Sequence, residues 1–132
     1  MSQANLETVF DHLHAMRRRD LESIATRLDP DIVHQGVQDH LVCKNRDEVL
    51  DSMRRSLTRE DFGVDHLEII EAGDRVVVGI AGSRFRDVPW APLLGQVFVV
   101  YTIRDGRIVR MDDHLTRAEA LAAAGAAVAD WA

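Results

Sequence analysis

The spacing of apolar residues changes once along the chain, and this change limits the fold more than any other feature. In residues 3–19, apolar side chains recur three and four positions apart, which is the period of an amphipathic helix, and Phe10 is expected in the core with Leu6, Val9, Leu13 and Met16. From residue 64 the apolar period becomes two, which is the period of a β-strand. Helices followed by strands predict an α+β domain rather than a helical bundle or an alternating α/β fold.

Capping residues mark where the predicted helices begin. Asp20 predicts the start of a second helix, which ends at the Asp29-Pro30 step because the residue before a proline avoids helical geometry. Asn45 followed three positions later by Glu48 has the spacing of a capping box for a third helix. A last, alanine-rich helix is expected to begin after Thr116 and to end near residue 125.

A long meander is expected to form the second half. The alternating pattern predicts strands over 64–71, 75–85, 93–104 and 107–115, preceded by a short hairpin over 32–43. Because sheets twist, we expect a curved antiparallel sheet wrapped around the N-terminal helices, forming a cone with an apolar pocket. The strand over 75–85 is apolar on both faces, so we expect a second subunit to cover one face, giving a homodimer through the sheet.

Length and composition exclude several classes of protein. The 132 residues predict a single domain over 1–132, with a loosely held tail from about residue 126. The net charge of −6 disfavours nucleic acids and anionic membranes as partners. No apolar run reaches membrane-spanning length, no signal-peptide pattern is present, and Cys43 is the single cysteine. We therefore expect a cytoplasmic protein without a disulfide, which binds neither nucleic acid nor membrane.

The residues after the last predicted turn resemble a known family. The stretch from Arg104 to Gly125 begins R-D-G-R-I-V-R-M-D-D-H-L-T-R-A-E-A-L and is similar to the closing pattern R-D-G-K-I-x-R-x-x-D-Y-x-D-R-A-E-A-L of the SnoaL-like branch of the nuclear-transport-factor-2-like superfamily. Segments 29–34 and 45–50 are similar to two further landmarks of that branch. The resemblance implies a cone-shaped fold with an apolar pocket, usually in a homodimer. The superfamily includes isomerases, aldol-type cyclases, epoxide hydrolases and non-catalytic binding modules, so the resemblance is specific for fold and weak for activity.

Asp113 is the first candidate for proton transfer. Counting by twos along the last strand places it on one row with three apolar residues, which are Val109, Met111 and Leu115. An ionised carboxylate on an apolar row is costly, so its pKa is expected to rise unless a cation or donor lies nearby, which suits a general acid or base. The resemblance implies the same residue, because Asp113 matches a pocket acid of the cyclase and epoxide-hydrolase members. The alternative is that Asp113 only holds the fold through hydrogen bonds.

Five further residues are candidates for the site. His34 shares a strand face with Ile32 near the expected pocket mouth, where a neutral imidazole can accept a proton or bind a carbonyl group, and its alternative role is structural. Trp90 in a proline-containing loop and Tyr101 in a strand are candidate pocket walls, although a strand aromatic is more often core. Met111, and His40 in the hairpin turn, complete the candidate substrate-binding set, although the turn position of His40 favours solvent exposure.

No metal or organic cofactor is expected. His12 and His14 lie about 200° apart around a helix, and the chain contains neither a zinc-type histidine spacing nor a glycine-rich phosphate loop. Epoxide-hydrolase members carry an Arg-x-Asp pair where this chain has Ile80 and Gly82. Ketosteroid-isomerase members place their base where this chain has Gly36, so both of these activities are disfavoured.

The sequence therefore favours a SnoaL-like pocket protein that carries out cofactor-free acid–base catalysis, as in cyclisation or isomerisation, on a largely apolar, carbonyl-bearing small molecule. In this interpretation Asp113 accepts the proton and His34 assists or orients it. The alternative is a non-catalytic ligand-binding or dimerisation module with a vestigial pocket. A pocket of ligand size beside a buried Asp113 favours the enzyme, and a pocket filled by side chains favours the module.

Overall fold

Helices and strands follow the order that the apolar spacing predicts. The computed structural model describes residues 2–57, 66–81 and 96–125, so the predicted tail from residue 126 lies outside the described residues. The described elements are α1 (Ser2–Arg17), α2 (Leu21–Thr26), β1 (Leu28–Gln35), β2 (Val42–Cys43), α3 (Arg46–Leu57), β3 (His66–Ala72), β4 (Arg75–Ala81), β5 (Gln96–Arg104), β6 (Arg107–His114) and α4 (Arg117–Ala124). The α+β class is confirmed. None of the helices in these ranges is long and apolar enough to cross a membrane.

The capping residues act where the sequence places them. The side chain of Asp20 accepts a hydrogen bond at the start of α2. At the start of α3, Asn45 Oδ1 accepts a hydrogen bond of 2.9 Å from the backbone N–H of Glu48. Thr116 Oγ1 accepts one of 3.2 Å from Glu119 at the start of α4. These bonds satisfy backbone donors that have no partner within the helix, so they fix where each helix begins.

The six strands form one curved sheet in the order β2-β1-β6-β5-β4-β3. Strands β3 to β6 form the expected antiparallel meander. The sheet is mixed rather than wholly antiparallel, because β1 lies parallel to β6, with His34 opposite Met111. This pairing joins segments that are distant in the sequence, and no hairpin signal predicts it. It brings the end of β1 beside the end of β6.

An irregularity in β6 changes which side chains face the helices. Thr102 pairs with Arg110 and Ile103 pairs with Ile108, so Val109 is an extra residue opposite β5, as in a β-bulge. Ile108 and Met111 are therefore both buried in the same core, although an odd number of steps separates them. The expected row is correct for Met111 and incorrect for Val109, because the bulge resets the alternation.

Each face of the sheet has its own apolar core. The face toward α1, α2 and α3 carries the larger core, which includes Val9, Ile24, Leu28, Ile32, Val49, Val76, Val78, Val99, Ile108 and Met111. On the opposite face, α4 packs Ala120, Leu121 and Ala124 against Val77 and Val100. The chain's own helix thus occupies part of the face that we expected a second subunit to cover. The homodimer through the sheet stays a prediction.

The buried side of α1 is displaced from the one that the apolar stripe suggests. Val9, His12 and Ala15 are fully buried, whereas Phe10 is 44 % exposed, so its expected place in the core is wrong. Position 12 lies about 60° from position 9 around a helix, and position 10 lies about 100° away on the other side. A stripe centred between Val9 and Ala15 therefore buries a histidine and leaves the phenylalanine about 160° from its centre, away from the core.

Candidate functional site

The two residues proposed for proton transfer are in direct contact. His34 Nε2 lies 2.9 Å from Oδ1 of Asp113. The parallel pairing of β1 with β6 explains this contact, because His34 lies opposite Met111 and Asp113 is the next residue of β6 on the same face. The sequence interpretation assigns both residues to one proton transfer, but no local pattern predicts their direct contact.

This pair, His34 with Asp113, is sheltered and still accessible. The side chain of His34 is 27 % exposed and that of Asp113 is 19 % exposed. Among the described residues, none donates a hydrogen bond to the second carboxylate oxygen of Asp113. That oxygen can accept a proton from a small molecule while the first oxygen stays bonded to His34.

The pair has the electrostatics of an ion pair. Burial alone would lower the pKa of His34, but the negative charge of Asp113, the hydrogen bond to it and the charge of Asp112 together raise that pKa above its ordinary value. The imidazole therefore keeps its proton to higher pH and donates Nε2–H to the carboxylate. His34 thus provides the nearby hydrogen-bond donor that a carboxylate on an apolar row needs.

Tyr101 and Met111 form the buried wall beside the pair. They lie opposite each other on β5 and β6, and both are almost completely buried. Burial, and then the charge of Asp113, raise the pKa of the Tyr101 phenol well above its ordinary value. Its hydroxyl therefore stays protonated and available as a donor. Met111 contributes shape rather than polar contacts.

The remaining candidates are not brought to this wall. His40 is exposed in the turn between β1 and β2. Trp90 lies outside the described residues, so its proposed contact with a ligand stays a prediction. Cys43 lies opposite His34 in the β1–β2 ladder, but burial and the charge of Glu48 raise the pKa of its thiol, which keeps it protonated and weakly nucleophilic. Over residues 2–57, 66–81 and 96–125, no three His, Cys, Asp or Glu side chains are grouped to hold a metal ion.

One polar residue that sequence reasoning did not select lies in the same core. His12 is fully buried, and its ring meets that of Tyr101 edge-on, with centroids 5.5 Å apart and an interplanar angle of 67°. Burial, the Arg27 guanidinium and His34 lower the pKa of His12 to about 4, so its ring is neutral at pH 7. The signal was present in the sequence, because position 12 follows the buried Val9 at helical spacing.

Comparison with known proteins gives the fold a context. The sequence pattern of the SnoaL-like domain family matches residues 9–111, most of the chain, and ends just before Asp113. No curated protein matches the sequence.

Solved structures share the architecture at low sequence identity. A proposed polyketide cyclase from Sinorhizobium meliloti is 20 % identical, with a TM-score of 0.65, over 82 % of this chain and 94 % of that one. An epoxide hydrolase from M. tuberculosis is also 20 % identical, with a TM-score of 0.65, over 84 % and 81 % of the two chains. TerC, co-crystallized with polyporic acid, is 23 % identical, with a TM-score of 0.59, over 93 % and 99 %. These similarities show a common fold.

Proposed function

Because this chain belongs to the SnoaL-like domain family, we propose that it binds a largely apolar, carbonyl-bearing molecule and catalyses proton transfer beside the carbonyl group, with Asp113 as the base. The observation that carries this proposal is the 2.9 Å contact between His34 and Asp113 on the inner face of the sheet. A carboxylate hydrogen-bonded to an imidazole through one oxygen, with the second oxygen left to accept a proton, is suited to general-base catalysis.

The reaction needs no redox partner. The free oxygen of Asp113 accepts the proton from the carbon beside the carbonyl, and the electron pair of the broken C–H bond moves into an enolate. In an isomerisation, Asp113 returns the same proton to a different carbon of the substrate. In a cyclisation, the enolate carbon forms a bond to a second carbonyl carbon, and the resulting alkoxide takes the proton from Asp113. His34 holds the carboxylate in position throughout.

The substrate must carry an activated C–H bond, because a carboxylate is a weak base. A carbon between a carbonyl group and an aromatic ring, or between two carbonyl groups, meets this requirement. Two structural neighbours support the proposal of a small-molecule substrate, since one is a proposed polyketide cyclase and another was co-crystallized with polyporic acid.

An exchange assay tests the proposal. We would incubate 2-tetralone, which has an activated carbon between its carbonyl and aromatic ring, with the protein in deuterated buffer and follow loss of the C–H signal by NMR. We expect wild type to accelerate the exchange, and Asp113→Asn to slow the catalysed rate roughly 10²–10⁴-fold while the affinity for 2-tetralone is kept.

The neighbouring carboxylate provides a matched control. Asp112 belongs to the opposite face of β6 and forms an ion pair of 2.9 Å with Arg110. Asp112→Asn removes the same charge at the adjacent position, and we expect it to leave the exchange rate close to that of wild type. Tight binding of 2-tetralone without exchange would instead favour the alternative function, a non-catalytic ligand-binding module.

A further inference from the structure

His12 is a polar side chain that lies fully buried beside the larger core. Its side chain is fully buried, and among the described residues neither ring nitrogen has a hydrogen-bond partner. Most buried polar atoms in proteins are paired, since an unpaired one costs roughly 1–3 kcal/mol. An apolar side chain of similar size would avoid this cost at position 12. No hydrogen bond within residues 2–57, 66–81 and 96–125 uses the polarity of His12.

The position of His12 connects it to the proposed site. Its ring packs against that of Tyr101 in a T-shaped arrangement, and Tyr101 lies opposite Met111, two positions before Asp113 on β6. His12 is also close enough for the charge of His34 to act on it. The four polar residues His12, Tyr101, Asp113 and His34 thus extend from α1 across the inner face of the sheet, and we call this group the inner polar row.

We propose that His12 binds a hydroxyl group on the part of the substrate that lies away from the reacting carbon, and so selects hydroxylated substrates. This inference rests on the function proposed above and extends it to the substrate class. His12 contacts Tyr101, whereas Asp113 is hydrogen-bonded to His34, so different parts of one molecule can meet the two groups.

The chemistry of imidazole selects a hydroxyl group. A neutral imidazole has one N–H donor and one bare nitrogen that accepts. A hydroxyl group both donates and accepts, so it can pair with either nitrogen in either tautomer, whereas a carbonyl oxygen pairs only with the N–H. The low pKa of His12 keeps the ring neutral at pH 7, which preserves the accepting nitrogen.

Binding of matched probes tests this inference without relying on turnover. We would measure, by calorimetry at pH 7, the affinities of 2-tetralone and of a set of ring-hydroxylated 2-tetralones for wild type, His12→Phe and His14→Phe. We expect wild type to bind at least one hydroxylated probe about tenfold more tightly than 2-tetralone itself. His12→Phe, which keeps an aromatic ring and removes both nitrogens, should lose this preference and retain its affinity for 2-tetralone.

Thermal unfolding of the free proteins separates binding from a structural role. If His12 serves only the ligand, His12→Phe has a melting temperature at or above that of wild type, because an unpaired polar ring has been replaced by an apolar one. His14 is exposed on the same helix, so His14→Phe should change neither the preference nor the melting temperature.

Three results would overturn the inference: wild type binds none of the hydroxylated probes more tightly than 2-tetralone, His12→Phe keeps the preference, or His12→Phe melts well below wild type. Failure of the catalytic proposal is a different result, namely deuterium exchange that Asp113→Asn leaves unchanged. A hydroxyl preference that depends on His12 would then still stand.

Discussion

Two histidines lie on opposite sides of the larger core, one on the sheet and one on a helix, and their surroundings shift their pKa values in opposite directions. His34 comes from the sheet and meets Asp113, so its pKa is raised although burial opposes this. His12 comes from α1 and meets the ring of Tyr101, so burial dominates and lowers its pKa to about 4. The difference shows that burial determines the direction of a histidine pKa shift only when no carboxylate lies close to the ring. His34 therefore keeps its proton to higher pH than an ordinary histidine, whereas the ring of His12 is neutral at pH 7.

The comparison has a consequence for stability, because the two shifts act in different pH ranges. A group whose pKa is raised by folding stabilises the protein below its unfolded pKa, and this contribution is lost as pH rises through the folded value. A base whose pKa is lowered by folding has the opposite effect, since the unfolded chain takes up the proton first as pH falls. The pKa shift of His34 therefore changes the stability above pH 6.5, and the pKa shift of His12 changes it below pH 6.5.

The largest expected effect is the acid sensitivity caused by His12. Between pH 6.5 and about 4, His12 binds a proton in the unfolded chain but not in the folded protein. The free energy of unfolding therefore falls by roughly 3 kcal/mol over this range. His12→Phe should remove that part of the loss. Urea unfolding of both proteins at a series of pH values measures the difference in slope.

Carboxylates also contribute to acid unfolding, and the exposed His14 separates their effect from that of His12. His14→Phe should keep the slope of wild type. If His12→Phe and wild type lose stability in parallel between pH 6.5 and 4, His12 is not neutral in the folded protein and the comparison fails.

A smaller effect on stability is expected when His34 loses its partner carboxylate, Asp113. Asp113→Asn leaves burial to act on His34 with only the weaker influence of Asp112 against it, so the pKa of His34 should fall. The variant should be about 1 kcal/mol less stable than wild type at pH 6, and this deficit should disappear as pH rises through the pKa of His34 in wild type. NMR titration of the imidazole gives the pKa, and urea unfolding gives the stability.

An unchanged titration of His34 in Asp113→Asn would show that the carboxylate is not its partner in solution. Asp112→Asn is again the matched control, and it should lower the pKa of His34 less than Asp113→Asn does, because Asp112 provides the smaller contribution.

The smallest expected effect is that of Arg27 on the pKa of His12. The Arg27 guanidinium helps to lower the pKa of His12, so Arg27→Gln should raise that pKa and reduce the acid loss of stability by roughly 0.5 kcal/mol. Arg54 pairs with Asp51 on the surface of α3, and Arg54→Gln should leave the titration of His12 unchanged. A larger effect of Arg54→Gln than of Arg27→Gln would show that net charge, rather than proximity, controls His12.

The sequence predicts the local features of this molecule well. Asp20, Asn45 and Thr116 cap helices where expected, and the apolar row identifies Asp113 as an inward carboxylate. These features depend on neighbours in the chain, which spacing reveals.

Features that depend on distant segments could not be predicted in the same way. The contact between His34 and Asp113 joins residues 79 positions apart through a parallel pairing that no turn announces. The buried His12 was missed because its position was considered only for metal binding, while Phe10 was assigned to the core. Periodicity locates a stripe to within about one position around a helix, and that margin decides which of these two residues is inside.

The extra residue in β6 has a consequence for comparing this protein with its relatives. Asp112 and Asp113 are adjacent and chemically identical, and the bulge at Val109 determines which of them points inward when positions are counted from the Asp105-Gly106 turn. A relative without the bulge but with a strand of the same length would present the residue aligned with Asp112 instead. Alignments of this segment should therefore be anchored at Met111 and should place any gap at Val109, so that inward carboxylates are compared with each other.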